Sequence, residues 1–303
     1  MFERVLIPTD LSLESDKIFD YALNLSGLKE VVAAHSVEAS AYELIKERIS
    51  DEPEEAVSSH GINPSAVEAG HLLQEIKRRE ERLSEKGKRL RDAGIKFRAV
   101  VHEGNMTDMA IVELAEKENA SLILLGSHGK SPLEEILYGS VSEKVARKAT
   151  VPVLIVRYEL FDKTAPADLA ANTFRKVLFP TDLKPGSDKV VDLLQLIKPE
   201  EVTVLYSVQQ QEEEEEEDRK VRNKKLANVQ TELGAAGIKA EVILCHGDIL
   251  EDILEASEGA SSVVMASHGK GVLKEWLTGS ISLNVARMAR VPVLFAHEGD
   301  VSF

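Results

Sequence analysis

A glycine-rich segment occurs twice in the chain, with a constant spacing between its glycines. The first copy reads Gly126-Ser127-His128-Gly129, then nine residues, then Gly139-Ser140. The second copy, shifted by 140 positions, reads Ala266-Ser267-His268-Gly269, then nine residues, then Gly279-Ser280. Each copy follows a short apolar run and precedes a helix-like stretch, which predicts a strand, a loop and a helix start. Glycine allows close approach and positive φ, and N–H groups at a helix start bind anions, so both segments are candidate phosphate sites.

A carboxylate is predicted at the end of the first strand of each half. Pro8-Thr9-Asp10 ends one apolar run and Pro180-Thr181-Asp182 ends its counterpart. In an open parallel sheet, ligands bind at the carboxyl ends of the strands, where Asp10 could accept hydrogen bonds from a ribose hydroxyl or a base amino group. Asp10 for the nucleoside and the glycine loop for the phosphates together make a complete nucleotide site.

Each of these features also has an interpretation without a ligand. A Gly-x-x-Gly segment alone usually marks a turn. Asp10 is favourable near the start of the following helix whether or not a ligand binds. Ser140-Val141-Ser142-Glu143 fits a capping box, in which the side chains satisfy the same N–H groups that a phosphate would use. Both interpretations stay open at this point.

The loops also carry histidines and lysines, which either contact a ligand or are simple loop residues: His128 and Lys130, His268 and Lys270. No paired nucleophile accompanies the histidines, so no catalytic residue is predicted. A metal site built from His35, His102 and His128 lacks close ligand spacing, so no metal-binding residue is predicted either.

Elements that would position these residues follow from hydrophobic patterning. Each half has five short apolar segments alternating with helix-like stretches, for example Ser15 to Leu25 before Gly27 and Leu72 to Ala93 before Gly94. Apolar runs without polar alternation indicate parallel strands covered on both faces. The predicted fold class is α/β, with two tandem doubly wound domains, each an open five-stranded parallel sheet with helices on both faces. Pro152 and Pro292 begin the last strands, which predicts that these are edge strands available for pairing.

Domain boundaries are predicted from the repeat. Residues 1–157 form the first domain, 158–173 a linker and 174–303 the second domain. The first half is about 28 residues longer between its second and third strands, where breaker residues indicate a helical insertion with a loop. In the second half, the acidic run 212–218 is interpreted as the solvated start of a helix continuing to Leu233, with a metal-collecting tract as the alternative.

Composition restricts the partners. The formal net charge is −15, which opposes attraction to nucleic acid or to an anionic membrane, so an anionic ligand needs local donors. No apolar run reaches the roughly 20 residues that span a bilayer. The lone cysteine, Cys245, fits a strand residue and a reduced compartment. These features predict a soluble, cytoplasmic protein without nucleic-acid or membrane partners.

The repeat, the Pro-Thr-Asp strand end and the Gly-x2-Gly-x9-Gly-Ser pattern resemble the universal stress protein (UspA-like) family in its tandem two-domain form. The resemblance implies an adenine nucleotide alpha hydrolase-like fold and the family's ATP-binding branch, with Asp10 and Val37 at adenosine and the glycine motif at ribose and phosphates. Mg²⁺ with the phosphates is optional. The first site comprises Pro8, Thr9, Asp10, Val37, Gly126, His128, Gly129, Lys130, Gly139 and Ser140.

The second site departs from the family pattern at one position. Ala266 stands where the first glycine is expected, and its methyl group is expected to crowd the ligand and to oppose a positive φ. ATP is therefore expected to bind the first half more tightly. The second site comprises Pro180, Thr181, Asp182, Val208, Ala266, Gly269, Lys270, Gly279 and Ser280.

The family also pairs domains through their last strands. The resemblance therefore implies that 151–157 pairs with 291–297 inside one chain, so that the two halves mimic a homodimer. It leaves further association of two chains open.

The leading functional hypothesis is a regulatory, stress-response module that binds ATP or a related adenine nucleotide, with slow ATP hydrolysis at most. One alternative is a nucleotide-free protein-interaction module. The other is an adenylating or nucleotidyl-transfer enzyme, but Thr9-Asp10-Leu11-Ser12 stands where such enzymes carry their signature loop. Neither a protein partner nor the inducing stress can be inferred from the residues.

Overall fold

The computed structural model describes residues 2–37, 64–103, 106–127, 140–184, 186–208, 216–266 and 281–297. Strands and helices alternate in both halves, as predicted. The strands of the first half are β1 (Arg4–Pro8), β2 (Glu30–Val37), β3 (Lys96–Glu103), β4 (Leu122–Ser127) and β5 (Val153–Arg157). The helices are α1 (Leu13–Leu23), α2 (Pro64–Lys86), α3 (Lys88–Asp92), α4 (Asp108–Lys117) and α5 (Ser140–Lys148).

A helical connection joins this half to the second. It contains a 3-10 helix (Tyr158–Asp162) and α6 (Pro166–Asn172). The strands of the second half are β6 (Lys176–Pro180), β7 (Glu201–Ser207), β8 (Lys239–Cys245), β9 (Ser262–Ala266) and β10 (Val293–Ala296). Its helices are α7 (Ser187–Ile197), α8 (Glu216–Ala235), α9 (Ile249–Ser257) and α10 (Ile281–Met288).

The ten strands of the described part of the chain belong to one sheet, in the order β3-β2-β1-β4-β5-β10-β9-β6-β7-β8. Each half contributes five parallel strands, which confirms the predicted fold class. The halves meet where β5 and β10 pair antiparallel, with Leu154 opposite Leu294. The last strand of each half is therefore an edge strand of its own five-stranded sheet, and the predicted internal pairing is present.

Alternating side chains of the buried strands divide the interior into two apolar cores. Val5 and Ile7 of β1 belong to one core, whereas Leu6 between them belongs to the other. The first core is covered by α1, α2, α3, α7 and α8, and the second by α4, α5, α9 and α10. This arrangement explains the apolar runs, because a strand covered on both faces has no solvent-facing side.

The predicted helix from Leu72 to Ala93 differs from the observed one. Helix α2 begins at Pro64, a favourable first position for proline, and a turn at Gly87 separates it from α3. A methyl group on Gly87 would lie 2.2 Å from the Phe97 ring, so the packing of β3 requires glycine there. Gly94, with φ of 81°, ends the helical segment as predicted.

The segment predicted as a linker packs against the first half. Phe161 and Ala170 are buried, and the Phe161 ring lies 6.2 Å from the ring of Tyr21. The Tyr21 hydroxyl lies 2.5 Å from Thr173 Oγ1. Residues 158–173 thus extend the core of the first half. Within the described part of the chain, no helix is both long and apolar enough to cross a membrane.

Candidate functional site

A cavity of about 490 Å³ opens at the carboxyl ends of the first-half strands. This is the position at which open parallel sheets bind ligands, and the volume falls within the roughly 300–1,000 Å³ typical of small-molecule sites. Of the predicted site residues, Pro8, Thr9, Asp10 and Gly126 line it. The cavity therefore brings together the end of β1 and the end of β4, the two positions that the sequence nominated.

The turn after β1 holds Asp10 at this cavity. Leu11 adopts a left-handed backbone with φ of 64°, and Thr9 Oγ1 accepts a hydrogen bond from the Leu11 N–H at 3.0 Å. Asp10 Oδ1 accepts from the Ser12 N–H at 2.9 Å. The cap of α1 is Ser12, whose hydroxyl accepts from the Ser15 N–H at 3.2 Å. The helix start therefore does not use Asp10 as its cap, and the exposed carboxylate faces the cavity.

The second half repeats this turn but covers its carboxylate. Leu183 has φ of 57°, Thr181 Oγ1 accepts from the Leu183 N–H at 3.0 Å, and Asp182 Oδ1 accepts from the Lys184 N–H at 3.0 Å. The Asp182 side chain is only 8% exposed, and the Lys184 ammonium lies 3.7 Å from its Oδ2. Both halves therefore have the same backbone turn, but only the first half leaves its carboxylate accessible.

The backbone of Gly126 is not in the left-handed conformation that its motif predicts. It lies inside β4 in register with Val156 and is not among the described glycines with positive φ. A methyl group on Gly126 would lie 2.3 Å from the Tyr158 hydroxyl. Ala266, its counterpart, lies in β9 opposite Ala296, so the predicted φ penalty at Ala266 is also wrong. The glycine makes room for Tyr158, which lines the cavity.

His35 lines the cavity as a neutral side chain. Its Nδ1 lies 2.8 Å from the Thr9 carbonyl oxygen. Burial lowers the pKa of His35, and this effect outweighs the opposing influence of the Thr9 carbonyl. The ring therefore supplies hydrogen-bonding capacity and no positive charge at neutral pH.

Positive charge at this end of the sheet comes from α2. Arg79 donates to the Ser36 carbonyl at 2.9 Å, and Arg82 donates to the Leu11 carbonyl at 3.3 Å. Both arginines act on His35 by lowering its pKa, so they add local positive charge beside the cavity in a chain of net negative charge.

Helix α8 places basic residues in the same way in the second half. The Arg222 guanidinium lies 5.7 Å from the Tyr206 ring, and Lys225 donates to the Leu183 carbonyl at 3.4 Å. The sequence reasoning missed both pairs. The available signal was a basic pair spaced three residues apart in a helix of each half.

Glu143, the last residue of the predicted capping box, contacts a residue of the second half. Its Oε1 accepts from Arg287 Nε at 2.5 Å, and the Arg287 Nη2 also contacts that oxygen. Arg287 belongs to α10 of the second half, yet it lines the first-half cavity with Leu283 and Ala286. The carboxylate is thus engaged across the junction of the halves, a contact between residues 144 positions apart.

The two halves also differ in the second turn of the helix after the third strand. Thr107 caps α4 and Asp248 caps α9. Four residues after each cap lie Ile111, which is buried and lines the first cavity, and Asp252. The Asp252 Oδ2 accepts from the Ser207 hydroxyl at 3.0 Å. An apolar wall in the first half therefore corresponds to a hydrogen-bonded carboxylate in the second.

Several predicted residues lie outside the described part of the chain. These are His128, Gly129, Lys130 and Gly139 in the first half, and His268, Gly269, Lys270, Gly279 and Ser280 in the second. Val37 ends β2 and Ser140 begins α5, and nothing further is described of their side chains. The Val208 N–H donates to the Cys245 carbonyl at 2.8 Å. Among the described residues, no group of three His, Cys, Asp or Glu side chains could hold a metal ion.

Known proteins are similar to this chain over its whole length or over about half of it. A solved universal stress protein of Archaeoglobus fulgidus superposes with a TM-score of 0.67 at 24% identity, over 98% of this chain and 97% of its own. A curated universal stress protein of Methanocaldococcus jannaschii is 33% identical over 164 residues, which is 52% of this chain and 96% of that protein. A third, solved in complex with cAMP, is 24% identical over 52% of this chain and 98% of its own, with a TM-score of 0.32.

The family match covers both halves. The model of the Universal stress protein family matches residues 1–157 and again residues 173–297. The single-domain relative spans about one half, and the solved Archaeoglobus protein spans both. With two family matches, two copies of one turn after the first strand and one continuous sheet, the chain belongs to the universal stress protein family in its tandem two-domain form.

Proposed function

We propose that the chain binds ATP or a closely related adenine nucleotide in the first-half cavity and acts as a regulatory module of the stress response. The observation that carries the proposal is the exposed Asp10 carboxylate at a cavity of about 490 Å³. Asp10 would accept hydrogen bonds from the nucleoside. The apolar side chains of Met106 and Ile111 line the same cavity and would pack against the base.

The phosphates would lie toward the start of α5 and the glycine loop that precedes it. N–H groups in the first turn of a helix have no partner within the helix and attract anions. Val141 and Ser142 of that turn line the cavity. Mg²⁺ would accompany the phosphates and be held mainly by them, since the described residues offer no cluster of ligands.

Family membership brings adenine nucleotides into consideration independently of the cavity. One solved universal stress protein is in complex with cAMP. The same membership and the net charge of −15 support a protein that works in the cytoplasm without nucleic-acid or membrane partners. The internal β5-β10 pair would take the place of a homodimer contact, and association of two chains is a question for a mass measurement in solution.

Turnover is proposed to be slow or absent. The described cavity residues include no nucleophile paired with a base, and the Nδ1 of His35 is engaged by the Thr9 carbonyl. We expect phosphate release well below about 1 s⁻¹, the lower end of ordinary enzyme turnover. A steady-state rate above that value would show that the protein is an ATPase.

The second half is proposed to bind nucleotide more weakly. The side chain of its Asp182 is only 8% exposed and is paired with Lys184, so a ligand would first have to displace an ion pair. Asp252 also places a carboxylate where the first cavity has Ile111. Both differences disfavour the adenosine end of a nucleotide, because buried polar groups that lose partners cost free energy.

A matched pair of variants tests the proposal. Asp10→Ala and Asp182→Ala remove the equivalent carboxylate from each half, and each variant is titrated with ATP by calorimetry. We expect Asp10→Ala to weaken binding by about tenfold or more, since a hydrogen bond to a charged group is worth roughly 1.5–3 kcal/mol. Asp182→Ala should leave the tight binding unchanged. Absence of ATP binding and of an ATP-dependent melting shift in the unsubstituted protein would instead favour a nucleotide-free interaction module.

A further inference from the structure

We propose that the second half completes the first-half nucleotide site, with Arg287 as a phosphate-facing cation that also neutralises Glu143. This inference rests on the proposed function and deepens it. In this role Arg287 makes the site selective for polyphosphate ligands over the bare nucleoside. Because Arg287 belongs to the second half, the first site also depends on the junction of the two halves.

The geometry begins with the position of Arg287. The residue belongs to α10, but its side chain reaches the first-half cavity and contacts Glu143 in the first turn of α5. The side chains are 32% and 16% exposed. At this degree of burial, charges interact more strongly than they would in water.

Glu143 creates an electrostatic problem for an anionic ligand. Its carboxylate lines the cavity in the helix turn toward which phosphates would be directed. Two anions in a partly buried site repel each other unless a cation lies between or beside them. The Arg287 guanidinium supplies that cation, so the Glu143–Arg287 pair presents no net negative charge to the phosphates.

Arg287 also has more N–H donors than its contacts with the described residues use. A guanidinium has five N–H groups. Among the described residues, its contacts are the Nε and Nη2 contacts to Glu143 and a 3.4 Å bond from Nη1 to Asn284. One N–H on each terminal nitrogen is left over, and arginine binds phosphate oxygens through such paired N–H groups.

The arrangement is specific to the first site. The repeat places Arg147 of α5 at the position of Arg287, but it places Leu283 of α10 at the position of Glu143. Arg147 is exposed, and Leu283 offers it no carboxylate. Duplication alone would have produced two equivalent pairs, so the single pair is a feature that this chain has kept or acquired at the first cavity only.

The test compares ATP with adenosine in matched variants by calorimetry at one ionic strength. We expect Arg287→Leu to weaken ATP binding by about tenfold and adenosine binding by less than about twofold, because only ATP carries the charge that Arg287 faces. Arg147→Leu, the control from the other half, should change neither. Arg287→Gln keeps much of the side chain and serves the same comparison if the leucine variant melts at a lower temperature.

Glu143→Gln separates the two roles of the pair. Removing the carboxylate should leave ATP affinity unchanged or raise it, since a repelling charge is lost and the arginine remains. A loss as large as that in Arg287→Leu would show that the pair acts only by holding the halves in place, and it would overturn the assignment. Two other results would also overturn the assignment. One is an equal loss of affinity for ATP and for adenosine in Arg287→Leu, and the other is an Arg287 variant that binds ATP as tightly as Arg147→Leu does.

The proposed function and this inference fail in different ways. If the unsubstituted protein binds neither ATP nor adenosine, the proposed function is wrong and the inference falls with it. If the unsubstituted protein binds ATP and Arg287 makes no difference between the two ligands, only the inference is wrong.

Discussion

Substituting Gly126 by alanine distinguishes two reasons for a glycine at the end of β4. The motif assigns the glycine to the ligand, whereas the packing assigns it to Tyr158. An added methyl group would lie 2.3 Å from the Tyr158 Oη, 2.4 Å from Cζ and 2.7 Å from Cε1. Three ring-side atoms closer than ordinary van der Waals contact mean that the whole side chain must move, and not only its hydroxyl.

The expected cost follows from overpacking. Forcing an extra methyl group into a packed site costs roughly 1–3 kcal/mol, which lowers the melting temperature by about 2–5 °C for a chain of 303 residues. In a Tyr158→Ala background the clash is gone. There, Gly126→Ala should be neutral or stabilising by about 0.5–1 kcal/mol, because alanine loses less backbone entropy than glycine in a strand.

The assay is a double-mutant cycle with urea unfolding and ATP titration on the same four proteins. A coupling free energy of about 1–3 kcal/mol between positions 126 and 158 is expected. The double variant should bind ATP within about threefold of Tyr158→Ala alone, a difference under about 0.7 kcal/mol. A Gly126→Ala variant that is as stable as the unsubstituted protein while Tyr158 is present would refute the packing role of Gly126. If the double variant loses ATP binding that Tyr158→Ala retains, the glycine serves the ligand.

Two further predictions concern the second half. Burial lowers the pKa of His297 to about 4, so the folded state resists protonation that the unfolded chain accepts near pH 6.5. The contribution of His297 to the free energy of unfolding is therefore fully present above pH 6.5 and decreases as the pH falls toward 4. At pH 5 it has decreased by about 2 kcal/mol. Urea unfolding at pH 7.5 and pH 5 measures how much free energy of unfolding each protein loses between these pH values, and the loss should be smaller in His297→Gln than in the unsubstituted protein. An equal loss in the two proteins would contradict the role given to His297. Asp252→Ile restores the apolar residue of the first half and should raise weak second-half ATP binding by about tenfold. Calorimetric titration with ATP measures the number of sites and their affinity. Ser207→Ala is the control, because it loses the same hydrogen bond but keeps the Asp252 carboxylate. Unchanged stoichiometry and affinity in Asp252→Ile would contradict the prediction.

The fold could be predicted because its signals are local. Apolar runs such as Val5 to Ile7 require burial on both faces, and that requirement gives parallel strands covered by helices. Gly94 stops a helix through its own backbone conformation, with φ of 81°. The position of Asp10 at a strand end also followed from local pattern alone. The boundaries at 157 and 173, by contrast, stay predictions, because the segment between them packs against the first half.

What the sequence did not reveal depends on contacts between distant residues. Tyr158 gives Gly126 its packing role, and no rule of spacing links the two. The left-handed Leu11 is held by a hydrogen bond from its N–H to Thr9 Oγ1, in a conformation that leucine rarely adopts without such support. The charge-assisted contact between Glu143 and Arg287 likewise joins the two halves, and the local capping-box pattern at 140–143 gives no sign of it.

The two halves share the backbone turn after the first strand but differ in the side chains around it. Both halves keep the strained turn after the first strand, which costs free energy and would not be expected at two useless sites. Yet only the first half leaves its aspartate exposed, keeps an apolar wall at Ile111 and receives Arg287 from its neighbour. Because the second half supplies that arginine to the first cavity, weak nucleotide binding of its own, as proposed, would not make it dispensable. Under the proposal that Arg287 faces the phosphates, the second half acts as part of the first site, and nucleotide binding should report on the integrity of the β5-β10 junction.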